Sequence, residues 1–272
     1  LNTRAGPAWT SGILLTAGQT VAELPRSFVP GDSFLWPVEA VPTTYAVGRR
    51  AMTRTITADL VESYSLCPRK AFLLMAAELN PGPPEYVRMT DEQAAANRQL
   101  YRVRLAGDIA NCRCPADMAA GREILADAEL ETDGLRARCA FLTKVTEPSR
   151  LGRFGYEPVK AIGTCRATRA DFLGLAYQGL VLGEVQGRLP ASGTLVLLGG
   201  RPSKVKLAPK YRDVRRILER LRVWAKAPVG DAPTLALNKH CASCPFCDTC
   251  LVQAEREGNL SLLDRMTSKL MR

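Results

Sequence analysis

The chain has 272 residues, of which 46% are hydrophobic and 24% charged, with a formal net charge of +10 and one histidine. That length is enough for one large domain, or a domain with an arm, around a proper hydrophobic core. No apolar run approaches the roughly 18 residues that span a bilayer, and residues 11–17 are too short and lack the basic flank of a signal peptide, so a cytoplasmic location without a membrane partner is expected.

Residues 1–54 are rich in Pro, Gly and Thr, with short apolar runs such as Gly12-Ile13-Leu14-Leu15 and Ser33-Phe34-Leu35-Trp36. They read as short strands and turns, an N-terminal arm or small β-rich extension ahead of a domain over residues 55–272. Thr57 is placed to cap a helix through Leu60, Val61, Tyr64 and Leu66, which Cys67-Pro68 interrupts. A second helix over 69–79 ends before Asn80-Pro81, and residues 91–110 predict a third. Strands follow at 126–131, 135–145 and 156–163. Asp133-Gly134 is a hairpin signal between the first two, because both residues suit the positive φ of a type I′ turn. Residues 170–186 predict a helix apolar on several sides, hence buried, and 194–198 a further strand. Residues 210–226 are amphipathic. Tyr211, Val214, Ile217, Leu218, Leu221 and Trp224 line one face, and Arg212, Arg215, Arg216, Arg220, Arg222 and Lys226 the other. This order suits an α/β core with a small sheet.

Nine cysteines in a chain of this size, odd in number and without a secretion signal, point to metal binding rather than a disulfide framework. Four stand three apart in His240-Cys241-Ala242-Ser243-Cys244-Pro245-Phe246-Cys247-Asp248-Thr249-Cys250, and a fifth lies in Tyr64-Ser65-Leu66-Cys67-Pro68-Arg69-Lys70. Such density suits a soft metal or an iron–sulfur cluster, which needs several sulfurs converging on one point. Spacing alone leaves open a ferredoxin-like run of the four local cysteines, a zinc centre, or a site in which His240 replaces one of them.

The same segments carry a resemblance. Ile56-Thr57-Ala58-Asp59-Leu60-Val61-Glu62-Ser63-Tyr64-Ser65-Leu66-Cys67-Pro68-Arg69-Lys70-Ala71-Phe72 resembles the opening of the RecB-like (PD-(D/E)XK) nuclease family that carries a four-cysteine iron–sulfur cluster. Leu237-Asn238-Lys239-His240-Cys241-Ala242-Ser243-Cys244-Pro245-Phe246 and Asn259-Leu260-Ser261-Leu262-Leu263-Asp264-Arg265-Met266 resemble its tail. The family is related to the CRISPR-associated RecB-type exonucleases. One branch precedes an RNase H-like exonuclease domain, sometimes with a helicase, and this chain looks like that branch over about residues 55–270. The resemblance implies a restriction-endonuclease-like α/β core with a small mixed sheet, flanking helices and a C-terminal iron–sulfur region. It implies Cys67, Cys241, Cys244 and Cys250 as ligands of a 4Fe-4S cluster, with zinc as the alternative metal and Cys247 spare.

The catalytic positions depart from the family. Such a nuclease holds Mg²⁺ beside the scissile phosphate with carboxylates on adjacent strands and steers water and charge with a lysine. The metal-binding Asp maps to Ala140, and no carboxylate lies between Leu135 and Lys144. Glu157 and Lys160 are three apart, so on a strand they point to opposite faces, and Pro158 should restrict that strand to an edge or bulge. The family's histidine falls in Gly107-Asp108-Ile109-Ala110, and its Gln-x-x-x-Tyr motif appears as Gly174-Leu175-Ala176-Tyr177-Gln178. No catalytic residue is predicted, Asp133, Glu157 and Lys160 being the nearest candidates. The expectation is a degenerate module that binds nucleic acid, DNA first, through the basic face of residues 210–226. Equally, it would scaffold a DNA-processing or defence complex with nuclease, helicase or CRISPR-type protein partners. The alternatives are an active Mg-dependent single-strand DNA exonuclease and a redox or electron-transfer iron–sulfur protein. Residues 260–272 resemble the start of a linker to further nuclease domains, which leaves a stand-alone remnant or a fragment of a larger protein.

Overall fold

The computed structural model describes residues 54–76, 82–105, 107, 109–112, 115–226, 232–263 and 266, all within one compact unit, Arg49–Arg272. The expected N-terminal arm lies outside the described residues except for Arg54. Two residues of strand, β1 (Ile56–Thr57), lead into α1 (Ala58–Leu66), followed by α2 (Pro68–Ala76) and α3 (Glu85–Arg104). Then come β2 (Ile109–Asn111), the short α4 (Pro115–Ala119), and the strands β3 (Ile124–Thr132), β4 (Leu135–Val145) and β5 (Gly155–Ala161). The long α5 (Arg169–Gln186), β6 (Ser192–Leu197), β7 (Arg201–Lys206), α6 (Ala208–Lys226) and α7 (Cys247–Arg256) complete the described elements.

Local chemistry accounts for most of this order. β3 and β4 alternate buried and exposed residues toward their shared turn, where Asp133 and Gly134 take φ of 37° and 71°, the pair of positive values a type I′ hairpin requires. β5 returns antiparallel to β4, and α5 then carries the chain over the sheet so that β6 lies parallel to β5. A parallel neighbour needs such a crossover. Thr168 and Asp171 form a reciprocal capping box at the start of α5, and Gly187 ends it with φ of 71°. The strand order is β2-β3-β4-β5-β6-β7, with β1 beside β4; β2–β3, β5–β6 and β1–β4 are parallel and the other pairs antiparallel. The fold is thus α/β, a mixed sheet flanked by helices. No described helix is long and apolar enough to cross a membrane.

Helices α1, α5 and α6 cover one face, where Val61, Leu173, Tyr177 and Leu218 join Leu130 and Tyr156 in the main core. The Tyr177 hydroxyl donates to the Ile56 carbonyl at 2.6 Å, fastening β1 to α5. Helix α3 covers the other face, where Tyr101 and Leu105 meet Phe141, Val159 and Val196. Fully buried Asn97 pins it. Its side-chain amide donates to the Ile162 carbonyl at 2.6 Å and its oxygen accepts from the Gly199 N–H at 3.1 Å. Beside that anchor, a Cβ on Gly163 would strike the backbone carbonyl of Thr90 in α3. Backbone against backbone cannot relax by rotamer change, so Gly163→Ala should cost about 3 kcal/mol in urea unfolding, the upper range for overpacking. A cost near zero would mean that α3 is not held this closely.

Three sequence expectations change, and part of a fourth lies outside the described residues. The third helix begins earlier and ends at Arg104, and Ile109–Asn111 is a strand; Gly107, at φ of 119°, lies in the break between them. Pro158 sits in an interior strand rather than at an edge. The ladder to β6 starts only at Val159, so at Pro158 the strand is paired with β4 alone and one missing N–H is tolerated. Thr57 occupies the N-cap position of α1 without a side-chain cap bond. The second helix is described from Pro68 to Ala76, and its expected last residues lie outside the described set.

Candidate functional site

The cysteine centre is assembled from two helix junctions. α1 ends where Cys67 turns extended, and Pro68 begins α2 at the first helical position, where its missing N–H is harmless. At the other end of the unit, Cys241–Ser243 form a single 3₁₀ turn and Cys247 opens α7. Cys67, Cys241, Cys244, Cys247 and Cys250 all line one cavity, together with Arg69 and Lys70 and without any carboxylate. Arg69 ties the pieces, donating to the Pro233 carbonyl at 2.9 Å and to Gln253 Oε1 at 2.6 Å. Burial pushes the thiols of Cys244, Cys247 and Cys250 up, and at Cys250 the Arg69 guanidinium opposes it. None of the eight described cysteines is joined in a disulfide. Among the described residues no three Cys, His, Asp or Glu side chains stand close enough to hold a single ion. The donor set nonetheless fits a thiolate-held centre: five sulfurs, no competing carboxylate, and two cations to offset the negative charge of a polythiolate cluster. His240 lines the same cavity, its imidazole held below its usual pKa by burial and by Lys239 and Lys70.

A second feature lies between α1, α3 and the strands β3, β4 and β5. It is an open cleft of about 780 Å³ whose lining includes Asp59, Glu62, Arg98, Asp127, Lys160 and Ala140. Glu62 of α1 and Lys160 of β5 form an ion pair inside it. Burial raises the Glu62 carboxyl from 4.5 to about 7, against the pull of Lys160. Gly174 of α5 makes room for that pair, since a Cβ there would collide with the Glu62 carboxylate and the Lys160 ammonium. Asp127 has φ of 56°, stands on β3 opposite Ala140, and is paired with Arg98 of α3. Glu129 pairs with Arg138 at 2.8 Å. Gln178 is 4% exposed; it donates to the Arg138 carbonyl at 2.7 Å, and its buried Oε1 has no hydrogen-bond partner among the described residues.

The three nearest catalytic candidates are dispersed. Asp133 sits at the hairpin tip, its side chain 89% exposed and 3.6 Å from Arg222 of α6. Glu157 is buried on the α3 face, accepting from the Ser192 hydroxyl at 2.6 Å and pairing with Lys204 at 3.1 Å. Lys160 alone lines the cleft, so the opposite-face expectation for Glu157 and Lys160 holds. Asp108 lies outside the described residues. Glu62 and Asp59 were legible only as two acids at i and i+3 on one helix face, and Asp127 only as a residue type that tolerates left-handed backbone.

The amphipathic helix is as expected. Arg212, Arg215, Arg216, Arg220, Arg222 and Lys226 are all exposed along α6, while Tyr211, Val214, Ile217, Leu218 and Leu221 are buried and Trp224 packs on Tyr64 and Phe72. Arg216 and Arg220 line a groove of about 440 Å³ with Arg169. Asp213, which pairs with Arg169 at 3.3 Å, and Glu219 also line it, so three cations face two carboxylates. No family model matches the chain, and no curated protein sequence is significantly similar to it.

Proposed function

We propose that the chain is a degenerate RecB-like module, stapled by an iron–sulfur cluster, that binds nucleic acid within a DNA-processing assembly without hydrolysing it. One observation carries the loss of hydrolysis. In the cleft, Lys160 is committed to Glu62, and it is Gly174, at the position of the family's motif Gln, that leaves space for the pair. Two further carboxylates that line the cleft with Ala140 are ion-paired as well, Asp127 with Arg98 and Glu129 with Arg138. Carboxylates engaged this way are poor ligands for Mg²⁺, which demands near-octahedral oxygen coordination. The antiparallel run β3-β4-β5 and the α5 crossover to a parallel β6 are compatible with a PD-(D/E)XK core. Binding would run along α6, where planar guanidinium groups present forked donors to phosphate oxygens. The cluster's part is structural; when bound, it would link Cys67 to Cys241, Cys244 and Cys250.

Fluorescence anisotropy with labelled single- and double-stranded DNA, on anaerobically purified protein, tests the binding. Affinity should be sequence-tolerant and fall steeply with salt. Replacing Arg215, Arg216 and Arg220 together by glutamine should lower the slope of log affinity on log salt by about 2 for single strands, at roughly 0.7 per lost phosphate contact. An unchanged slope would remove α6 from the interface. A brown preparation with broad visible absorbance separates iron–sulfur from zinc.

The gathering of four carboxylates, Asp59, Glu62, Asp127 and Glu129, in the cleft with Lys160 and three arginines favours a second reading, an active Mg²⁺-dependent exonuclease with a rearranged site. Its test is the same protein with end-labelled single strands and Mg²⁺ or Mn²⁺. Shortening that disappears in Glu62→Ala and Asp127→Ala would replace the binding-only reading with this one.

A further inference from the structure

Helix α3 carries an apolar stripe on its outward side. Tyr86, Met89, Leu100 and Val103 are 62%, 59%, 47% and 85% exposed, unusual values for large hydrophobic side chains. With Gln93 and Ala96 they fall at successive intervals of three, four, three, four and three residues, the a/d spacing of a helical seam. The stripe is not the side by which α3 grips the sheet, which runs through Asn97, Tyr101 and Leu105. Nor is it the side that lines the cleft, which carries Ala94, Ala95 and Arg98. At about 100° per residue these lie roughly opposite the stripe.

We infer that this stripe is a two-fold interface with a second copy of the chain, the two α3 helices crossing antiparallel. The stripe is self-complementary about the centre of the helix. An antiparallel partner whose axis passes between Ala94 and Ala95 sets Tyr86 against Val103, Met89 against Leu100, and Gln93 against Ala96, each pair occurring twice. The same operation sets Glu85 against Arg104. Charge follows the same symmetry. The first half of α3 holds Glu85, Asp91 and Glu92 with one cation, Arg88, whereas the second holds Arg98, Arg102 and Arg104 with no acid. Antiparallel crossing places the acidic half over the basic half, and parallel crossing would place like over like. The small residue Ala96 stands near the middle of the stripe, where the two helices would cross. Leu198, 41% exposed in the turn after β6, adds apolar surface at the rim, next to Gly200, which abuts Leu100. The stripe shares no residue with the cysteine cavity, the cleft or α6. It does not depend on the nucleic-acid reading.

Sedimentation equilibrium of the full chain over a range of concentrations provides the test. The parent should be a dimer, and the double variant Leu100→Glu/Val103→Glu should weaken association by about a hundred-fold or more, equivalent to about 2.8 kcal/mol, with an unchanged circular dichroism spectrum. Glu85→Arg should weaken the dimer and Glu85→Arg/Arg104→Glu should restore it, because the antiparallel register puts these two residues together. A parent that stays monomeric, or a dimer indifferent to the Leu100 and Val103 charges, would overturn the proposal. Failure of the charge swap to restore association would overturn the antiparallel register.

Discussion

Replacing Cys67 by serine is expected to strip the bound metal from the chain and to lower its unfolding free energy by about 5 kcal/mol. That is the loop-closure value for a link spanning roughly 175 residues of chain. Cys247→Ser should leave both quantities unchanged. Cys67 stands between α1 and α2, the remaining sulfurs belong to the 3₁₀ turn and α7, and all line the same cavity. A centre that uses Cys67 therefore closes the unit end to end, whereas a centre made of the four tail cysteines would close only a few residues. Elemental analysis, visible absorbance and the urea midpoint read the two variants. Metal retained in Cys67→Ser and lost in Cys247→Ser would assign the centre to the local run instead.

Lys160→Met should be a lesion whose severity depends on pH. Burial already raises the Glu62 carboxyl to about 7, and Lys160 is the main influence holding it down, so removing the ammonium pushes it higher still. A carboxyl raised in the folded state contributes its stability below the unfolded value of 4.5, and loses it as pH rises through the folded value. In mildly acidic buffer Glu62 is then neutral and the variant close to the parent. At about pH 8 an ionised carboxylate is left buried without its partner, at a cost of about 3 kcal/mol. Glu62→Gln should behave in the opposite sense. Burial pulls the Lys160 ammonium down, while Glu62, by charge and hydrogen bond, holds it above its usual value. Without Glu62 the cation is stranded at neutral pH and relieved only in alkali. Glu62→Met/Lys160→Met, lacking both charges, should lie nearer the parent than either single variant at neutral pH. Equal urea midpoint losses for Lys160→Met at both pH values would show that Glu62 does not ionise in this range.

What the sequence made legible was whatever short-range chemistry enforces. Asp133-Gly134 dictated the hairpin and with it the bounds of β4, and the spacing of Tyr211 to Leu221 dictated the buried face of α6. β7 was not legible, because Arg201-Pro202-Ser203-Lys204-Val205-Lys206 has the composition of a loop and owes its extended form to pairing with β6. The cleft was half legible. Lys160 and Ala140 could be placed on strands by counting, but the partner of Lys160 comes from α1, 98 residues away, and no periodicity announces a pair that far apart. Asp127 was hidden for a related reason: its left-handed backbone interrupts β3 in a stretch whose alternation otherwise looks continuous.

The composition of β7 limits how this molecule can be joined to others. It is the last strand of the sheet, and it carries Arg201, Lys204, Lys206 and a proline along its length, mostly exposed. Lysine and proline on an outer strand block the approach of another extended chain, by repulsion and by the missing donor. A partner peptide is therefore disfavoured from entering here by β-augmentation, in which main-chain hydrogen bonds supply the affinity. On this side recruitment falls to helices, and helical contacts are set by side chains, so substitutions at single surface positions can create or erase a partner.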